Sequence, residues 1–526
     1  MDVSPVLRLL ATRRLAKLNR MDPVETQQRT LLGLVGRAAE TRFGRDHDFA
    51  NIRSVADFQA RVPIRQFEDL WADYYKASWP ILDNVSWPGR IPFFAKTSGT
   101  TTGRTKYIPI TREIIKSNER TGFDLMTYHM TQTPGSRPLA GKSFIIGGST
   151  HLDEVAPGIF AGDVSGINTK LTPFWVKNRI FPTPELALIG DWDKKLDALA
   201  TRAIDMRITM MSGMCNWLLV MLDRVRELRM ARGPFSGPTF PDLQLLIHGG
   251  VPMDLYRERF KVHLDGAKVD ARELYPTSEG FIACADRGPG EGLRMMLDNQ
   301  LFLEFVPLSD IESKNPVRHW AATIEPNVDY GLALSNNAGL FGYMLGDVVR
   351  FVDTKIPRFL IMGRISQKLS PFGEHLIAAE IEEAMQSAAR TLGFALAEYT
   401  VGPVLPAVAG GTGYHVYIIE PGQPIAGDRE AFGRRIAEHV DKVLRDINYD
   451  YDSERTGDRG VGIPRIRWAE PGAFAGWMRA MNKLGGQNKV PRVTPKADRF
   501  AAMAAALGVP LDAEADPARV QRGPVA

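Results

Sequence analysis

The chain contains almost no cysteine. Only Cys215 and Cys284 occur in 526 residues, and no CxxC motif is present. Two cysteines cannot form a disulfide framework or a four-ligand zinc site. A chain of this length buries a core that needs no such staple, and so low a cysteine content fits a reducing compartment. We therefore expect a cytoplasmic protein.

Long apolar runs and an excess of one charge are lacking as well. No uncharged apolar run approaches the roughly 18 residues that would suggest a membrane-spanning helix. The 65 basic and 61 acidic side chains are interspersed and leave a net charge of only +4. No basic stripe for nucleic acid is therefore indicated. We expect a monomer that neither binds nucleic acid nor is integral to a membrane.

The first twenty residues, MDVSPVLRLLATRRLAKLNR, are basic and rich in leucine. Arg8 interrupts the apolar stretch, which makes the segment a poor signal peptide. We favour an amphipathic helix packed on the first domain, because surface helices pair an apolar stripe with a charged face. A membrane-surface helix and a transit peptide are the alternatives.

The first ninety residues follow a helical pattern. After them, predicted strands alternate with predicted helices. From Gly141 the predicted strands KSFIIGG and LQLLIHGG flank the predicted helix WLLVMLDRVRELRMAR. Between about 290 and 365 the pattern is richer in strands, and the runs are LFLEFVPL, HWAATIE, GYMLGDVVRFV and RFLIMG. This alternation predicts an α/β fold: a large N-terminal α/β domain with a β-rich subdomain.

The chain after Gly363 predicts a small separate α+β unit. An amphipathic helix led by a proline is expected over SPFGEHLIAAEIEEAMQSAAR, and a second helix over REAFGRRIAEHVDKVLRDI. Between them lie two apolar strand candidates, ALAEYTVG and GYHVYIIE. We place the domains at 1–363 and 364–510, followed by a flexible tail at 511–526 that is rich in Ala, Asp, Pro and Arg.

The strongest local signal is the segment Thr97–Lys106, TSGTTTGRTK. It holds six hydroxyls, two glycines and a lysine between two strand-like runs. Such a loop suits a polyphosphate, because glycines let backbone N–H groups approach oxygens closely while hydroxyls and Lys106 supply further bonds and charge. It is not a Walker A loop, since the lysine follows the second glycine by three residues instead of one.

Two further segments carry side chains that suit a nucleotide. Glu273–Gly280, ELYPTSEG, places an aromatic ring, two hydroxyls and a carboxylate on one turn. A ring can cover a purine, a hydroxyl can bond phosphate, and Glu279 can hold a magnesium ion. Tyr343–Arg350, YMLGDVVR, places an aspartate beside a glycine, where a carboxylate can take both hydroxyls of a ribose. Either segment alone also fits an ordinary turn.

In this order, the three segments resemble those of the plant auxin-responsive acyl acid amido synthetases, which join jasmonate, auxin or benzoates to amino acids. That family belongs to the acyl-adenylate-forming superfamily, with acyl-CoA synthetases, luciferases and peptide-synthetase adenylation domains. YMLGDVVRF is similar to the branch's Y-R-x-G-D-V box, with Met344 in place of arginine. The resemblance runs from about residue 25 to 495. It implies a large adenylation domain and a small mobile lid domain.

The resemblance also implies site residues, with ATP or AMP and Mg²⁺ as cofactors. They are Ser98, Gly99, Thr100, Thr101, Gly103 and Lys106 for the β- and γ-phosphates; Gly250, Tyr275 and Thr277 for the adenine; Ser278 for the α-phosphate; Glu279 for magnesium; and Asp347 and Arg364 for the ribose. Arg120, on the helix after Lys106, is a candidate contact for the carboxylate of the acid. A solvated surface position is the alternative for Arg120 and Arg364.

The lid would supply a catalytic lysine beside Lys106 of the large domain. The segment GGQNKVPR is similar to the branch's Q-x-K-x-P-R segment, and Lys489 is the candidate, with Lys483 nearby as the alternative. Gly363–Ser370 resembles the superfamily hinge. After it this chain has PFGEH where plant members carry an aspartate–lysine stretch, so a contact of that lysine would be lost or replaced by one from His375.

The implied function is ATP-dependent ligation in two steps. A carboxylic acid attacks the α-phosphorus of ATP to give an acyl-adenylate, and an amine, expected to be that of an amino acid, then takes the acyl group. An acyl-CoA ligase, with a thiol acceptor, would use the same adenylation segments. A non-catalytic nucleotide-binding descendant is the third possibility, although Lys106, Glu279, Asp347 and Lys489 are all present.

Overall fold

The structure, a computed structural model, forms two compact units, Met1–Ile361 and Met362–Ala526. The residues described are 4–98, 105–147, 151–172, 178–189, 192–249, 253–365, 369, 371–372, 374, 376–405, 413–455, 461–481 and 489–511. The boundary between the units lies two residues from the domain boundary predicted from the sequence. The functional division into adenylation domain, lid and tail stays a prediction.

The first unit begins with helices, as predicted. They are α1 Ser4–Arg20, α2 Pro23–Ala38, α3 Arg42–Asp46, α4 Val55–Arg61 and α5 Phe67–Leu70, with a 3-10 turn at Phe49–Asn51 and a π turn at Trp71–Tyr75. Local capping explains where two of them start. The side chains of Asp22 and Ser54 accept hydrogen bonds from the backbone N–H groups of Glu25 and Asp57, which satisfies donors in the first turns of α2 and α4.

Strands then alternate with helices. In chain order they are β1 Phe93–Ser98, β2 Thr105–Ile110, α6 Arg112–Gln132, β3 Lys142–Ile145, β4 Leu152–Ala156, β5 Ile159–Gly162, α7 Val164–Leu171, β6 Ile180–Phe181, α8 Pro184–Ala187, α9 Trp192–Ala203, β7 Ile208–Met214, α10 Cys215–Ala231, β8 Leu245–Gly249, α11 Arg257–Leu264 and β9 Asp270–Thr277. The strands that follow are β10 Gly280–Cys284, β11 Leu293–Met295, β12 Leu301–Pro307, β13 Asp329–Asn336, β14 Tyr343–Asp353 and β15 Arg358–Arg364.

The large sheet has the strand order β12-β13-β14-β15-β11-β10-β9-β8-β7-β3-β6. Strands β6, β3, β7, β8 and β9 are parallel. From β9 to β10 the pairing becomes antiparallel. The carboxyl ends of β3, β7, β8 and β9 therefore lie at one edge, which is where ligands bind in parallel α/β sheets.

A second, smaller sheet of the first unit has the order β2-β1-β5-β4. Strand β1 is antiparallel to β2 and parallel to β5, with Ala95 opposite Gly162. The carboxyl ends of β1 and β5 are thus neighbours. The predicted phosphate loop leaves from the first of them.

The second unit is α+β, as predicted. Its elements are α12 Ala378–Leu392, β16 Leu396–Val404, β17 Gly413–Pro421, α13 Arg429–Ile447, α14 Tyr449–Arg455, β18 Val461–Trp468, α15 Ala473–Ala480 and α16 Ala497–Ala506. The sheet order is β16-β17-β18, antiparallel and then parallel. Its core includes Tyr399, Tyr417, Ile436 and Ile466.

One predicted strand is absent, and one predicted helix starts later than expected. HWAATIE does not form a strand: His319 makes an isolated bridge to Phe305, and the N–H of Thr323 then bonds the carbonyl of Trp320 at 2.8 Å, which closes a turn. The helix predicted over SPFGEHLIAAEIEEAMQSAAR is present as α12, but it begins at Ala378, eight residues later than expected. Isolated backbone bridges, from His319 to Phe305 and from Leu376 to Leu369, shape these two segments, and the sequence pattern does not predict such bridges.

The predicted α/β fold class is confirmed by this architecture. The apolar strand β8, LLIHG, illustrates why the prediction works, because parallel strands covered on both faces are near-continuous apolar runs. Within the described ranges, no helix combines the length and the apolar character that crossing a bilayer requires.

Candidate active site

The predicted phosphate loop joins the two strands of a hairpin. Strands β1 and β2 are antiparallel, and their last pair is Ser98 with Thr105. The six residues between them, which include the predicted contacts Gly99, Thr100, Thr101 and Gly103, lie outside the described residues. The strand–loop–strand placement is therefore confirmed, whereas the phosphate contacts, Ser98 included, stay predictions.

Lys106 is the second residue of β2, at the base of the loop. Its Nζ is 4.0 Å from Oε1 of Glu68 and 5.6 Å from the ring centroid of Phe67. A separation of 4.0 Å exceeds that of a hydrogen bond, so Glu68 does not hold the ammonium tightly. A lysine with so loose a carboxylate partner suits an incoming anion.

The predicted adenine-side turn follows β8. Gly249 is packed so closely against β9 that an added Cβ would lie 2.3 Å from the carbonyl oxygen of Leu274. Only glycine fits there, because real Cβ atoms do not approach backbone oxygen so closely. Gly250 itself lies outside the described residues.

The second motif forms a tight hairpin between β9 and β10. Thr277 pairs with Gly280, and the Thr277 hydroxyl donates to the Gly280 carbonyl oxygen at 2.9 Å. Ser278 and Glu279 are the two residues of the loop. They stand at the carboxyl end of β9, which pairs in parallel with β8, and the buried ring of Tyr275 lies three residues before Ser278.

Buried amides hold the Glu279 turn in place. The Asn336 side chain donates to the Glu279 carbonyl oxygen at 2.8 Å, and the Asn118 side chain accepts the N–H of Phe281 at 2.9 Å. Asn118 lies within α6 and Asn336 is the last residue of β13, and an isolated asparagine at such positions carries no pattern that predicts a site. A buried carboxylate on a fixed turn suits the oxygen ligands that Mg²⁺ prefers. Its role there stays a prediction.

A bulge in β14 positions the third motif. The register between β13 and β14 shifts between Gly331 and Ala333, opposite Gly346 and Asp347. Gly346 has φ +88°, a conformation that glycine adopts without strain. The hydroxyl of Tyr275 donates a short hydrogen bond to Oδ2 of Asp347, and both side chains are buried. The second and third motifs, 72 positions apart, therefore meet in one contact.

The remaining predicted contact of the large domain, Arg120, lies on α6 and is exposed. Its Nη1 donates to the carbonyl oxygen of Asp298 at 2.7 Å. The guanidinium therefore has a backbone partner within the protein, and its contact with the acid stays a prediction.

Two charged side chains, the partly buried Asp163 and the buried Lys195, carry no signal in the sequence. Asp163 follows β5, and its Oδ1 accepts hydrogen bonds from N and Oγ of Ser165 at 2.8 Å each. Lys195 is buried and donates to the carbonyl of Ala187 at 3.0 Å. Burial raises the pKa of Asp163 and lowers the pKa of Lys195, which Asp163 partly offsets. An aspartate before a helix and a lysine within one carry no distinctive pattern.

The second unit carries the other two predicted residues. Arg364 is the last residue of β15, after Gly363, whose φ is +129°. Lys489 is exposed, and the chain three residues later is fixed to β16, since Val401 donates to the Arg492 carbonyl oxygen at 2.9 Å. Lys368, His375 and Lys483 lie outside the described residues. The roles of Arg364 and Lys489 stay predictions.

Solved structures with this fold are known. "AtGH3.15 acyl acid amido synthetase in complex with 2,4-DB" superposes with a TM-score of 0.76 at 16% identity, over 94% of this chain and 95% of that one. A 2-hydroxyisobutyryl-CoA ligase in its postadenylation state gives a TM-score of 0.59 at 16% identity, over 91% and 90% of the two chains. These similarities establish the fold.

Curated plant proteins are similar to this chain in sequence. Indole-3-acetic acid-amido synthetase GH3.4 of Arabidopsis thaliana is 22% identical over 547 residues, which cover 90% of this chain and 89% of the relative. Probable indole-3-acetic acid-amido synthetase GH3.9 of Oryza sativa subsp. japonica is 26% identical over 232 residues, 41% of this chain. That second match spans about half of the relative, 52%.

Family models match three consecutive regions. The GH3 family N-terminal domain matches residues 13–167, the central domain 294–364 and the C-terminal domain 379–498. These regions cover more than half of the chain and contain Lys106, Asp347 and Lys489. The resemblance inferred from the three motifs is thereby confirmed, and the protein belongs to the GH3 family.

Proposed function

We propose that the protein is an ATP-dependent acyl acid amido synthetase, a ligase that forms a C–N bond between a carboxylic acid and an amino acid. The contact between Tyr275 and Asp347 carries this proposal, since it joins the purine-covering and ribose-binding motifs. The names of the relatives support the reaction class. A cytoplasmic location, in keeping with the low cysteine content, is part of the proposal, and so is a monomeric state.

In the first half-reaction, a carboxylate oxygen of the acid attacks the α-phosphorus of ATP. The new C(=O)O–P bond replaces the bond to pyrophosphate, which leaves with the electron pair. No protein nucleophile is needed, because the substrate is one already. Negative charge moves onto the phosphate oxygens, so Lys106 and the hydroxyls of the loop stabilise it electrostatically. Glu279 would hold Mg²⁺, which supplies further positive charge.

In the second half-reaction, the unprotonated amine attacks the acyl carbon of the mixed anhydride. The C–N bond forms, the C–O bond to AMP breaks, and the amine proton passes to a base or to water. Binding must hold the amine against the carbonyl, because positioning supplies much of the rate of such a step.

Release of pyrophosphate across a panel of carboxylic acids tests the first half-reaction, with ATP and Mg²⁺ present. Repeating it with amino acids or coenzyme A, and identifying the product by mass, tests the second. An amide product with an amino acid supports the proposal. The proposal is contradicted if none of the acids causes pyrophosphate release, or if a thioester is the sole product.

An acyl-CoA ligase is the second candidate. The observation in its favour is the fold that the protein shares with 2-hydroxyisobutyryl-CoA ligase at a TM-score of 0.59. The two candidates share every residue proposed for adenylation and differ only in the acceptor. A thioester product would therefore leave the proposed nucleotide site intact.

We expect Lys106→Ala to weaken ATP binding by about 1.5–3 kcal/mol, the usual value of a hydrogen bond to a charged group. Calorimetric titration with ATP and with pyrophosphate measures the change. Lys116→Ala is the matched control, since Lys116 is an exposed lysine on α6. Unchanged affinity for both ligands in the Lys106 variant would remove this residue from the site.

We expect Asp347→Ala to weaken AMP and ATP by the same factor, because a ribose contact is common to both. Loss of a buried partner for two hydroxyls costs about 1–3 kcal/mol, or roughly 5- to 150-fold in affinity. Asp329→Asn, which alters a carboxylate paired with Arg350 on the same sheet, is the control. A variant that loses ATP but retains AMP would place Asp347 on the metal or the phosphates.

A further inference from the structure

Helix α1 presents an apolar patch to solvent. Val6 is 63% exposed, Leu9 55% and Leu10 44%. They occupy positions spaced by three and four residues, so they lie on one face of the helix. None of the proposed chemistry uses this face. Three exposed aliphatic side chains together on one turn and a half are unusual for a surface that meets only water.

The opposite face of α1 fixes the helix on the first unit. Ala11 and Leu18 are buried, and Leu18 belongs to a core cluster shared with α6. Arg14 donates to both oxygens of Asp124, at 2.6 and 2.7 Å, and to both oxygens of Asp298, at 2.9 and 2.8 Å. This anchoring confirms the predicted packed helix. It also holds the exposed patch in a fixed direction.

Cations continue the same stripe along the helix. Arg13, Lys17 and Arg20 follow the apolar residues at spacings of three and four, and all three are exposed. Residues 4–20 contain no acidic side chain. Lys17 lies 3.5 Å from Asp298, a distance that leaves its ammonium outside a hydrogen bond.

An open groove lies beside these cations, between α1 and α2. Its volume is about 520 Å³. Arg13, Lys17, Arg20 and Arg29 line it together with Asp22 and Glu25, and Arg29 pairs with Glu25 at 3.1 Å. Cations outnumber acids in the lining, so the groove favours an anionic headgroup.

We propose that α1 docks the protein on the surface of an anionic lipid bilayer, without crossing it. Val6, Leu9 and Leu10 enter the boundary between headgroups and acyl chains, while Arg13, Lys17 and Arg20 meet the lipid phosphates. Apolar and basic residues on one helix face are what such a surface binds. A second copy of the chain fits worse, since a symmetric contact would bring unneutralised cations together. Nucleic acid would leave the apolar residues unused.

Co-sedimentation of the full chain with vesicles tests this proposal. We compare pure phosphatidylcholine with vesicles in which a third of the lipid is phosphatidylglycerol. We expect binding to the anionic vesicles, weakened by salt, and at least about a tenfold loss for Leu9→Gln/Leu10→Gln and for Arg13→Gln/Lys17→Gln/Arg20→Gln. Met230→Gln/Val262→Gln is the control, since these residues are 59% and 56% exposed on α10 and α11.

Circular dichroism and thermal unfolding establish that each variant folds. Equal binding to both kinds of vesicle, or full binding by either α1 variant, overturns the proposal. So does a wild-type dimer in light scattering that the Leu9/Leu10 variant converts to a monomer, because a second copy would then cover the patch. Pyrophosphate release in solution does not depend on docking, so the proposed function and this inference fail separately.

Discussion

Arg358→Met should lower the free energy of unfolding by about 3–5 kcal/mol, because it leaves a buried carboxylate without its main partner. Arg358 donates to both oxygens of Asp286, at 2.9 and 2.7 Å, and to Asp353 at 2.7 Å. The Arg358 side chain is 3% exposed. Its hydrogen bonds to Asp286 raise the pKa of Arg358 in spite of burial. Urea denaturation followed by tryptophan fluorescence measures the change.

Arg224→Met is the matched control for this prediction. Arg224 pairs with Asp197 at 2.7 Å and with Glu227 at 2.9 Å, but these groups are exposed. Water screens such pairs, so the midpoint should stay at that of the wild type. If Arg358→Met also unfolded at the wild-type midpoint, Arg294, which lies 3.5 Å from the Asp286 carboxylate, would be sufficient to stabilise it.

Hydrophobic pattern predicted most elements of the fold. Helix α10 and strand β8 lie where their apolar runs indicated, because burial on a long helix and between layers leaves a strong pattern. Strand β18 was missed. Its sequence, VGIPRIRW, contains Pro464 and two arginines, and proline counts against a strand. Parallel pairing with β17, which no local pattern encodes, decides its conformation.

The candidate site divides in the same way. The sequence predicted the chemistry of each motif because hydroxyls, glycines and acids were concentrated in short segments. The sequence did not predict that the second and third motifs contact each other. The bulge at Gly346 and the contact of Tyr275 with Asp347 depend on register between strands that are remote in sequence. Asp163 and Lys195 became notable only through burial, which sequence spacing does not reveal.

Met344 illustrates how a departure from a family pattern depends on three-dimensional context. It stands where the resemblance drawn from the sequence implies an arginine, and it is buried. Its backbone N–H bonds the carbonyl of Arg65 at 2.8 Å, and Arg65 pairs with Asp73 at 2.6 Å. A methionine fills an apolar site without needing a charged partner.

Lys489, in the second unit, is the residue to which we assign the most specific mechanistic role. Lys489 is exposed, and the chain three residues later is held to β16 by Arg492, whose guanidinium also pairs with Glu398. We propose that its charge stabilises the α-phosphoryl transition state of the first half-reaction. Once the anhydride has formed, that charge stabilises the next transition state less, because the remaining step is attack of the amine on carbon.

Lys489→Ala should therefore cut pyrophosphate release about 100- to 1,000-fold, the usual cost of removing one electrostatic donor from a transition state. It should spare transfer from a pre-made acyl-adenylate to the amine, and single-turnover assays measure each step separately. Lys496→Ala, at an exposed lysine seven positions later, should change neither step. Equal loss in both steps would indicate a docking or folding defect, and no loss in either would transfer the role to Lys483 or Lys368.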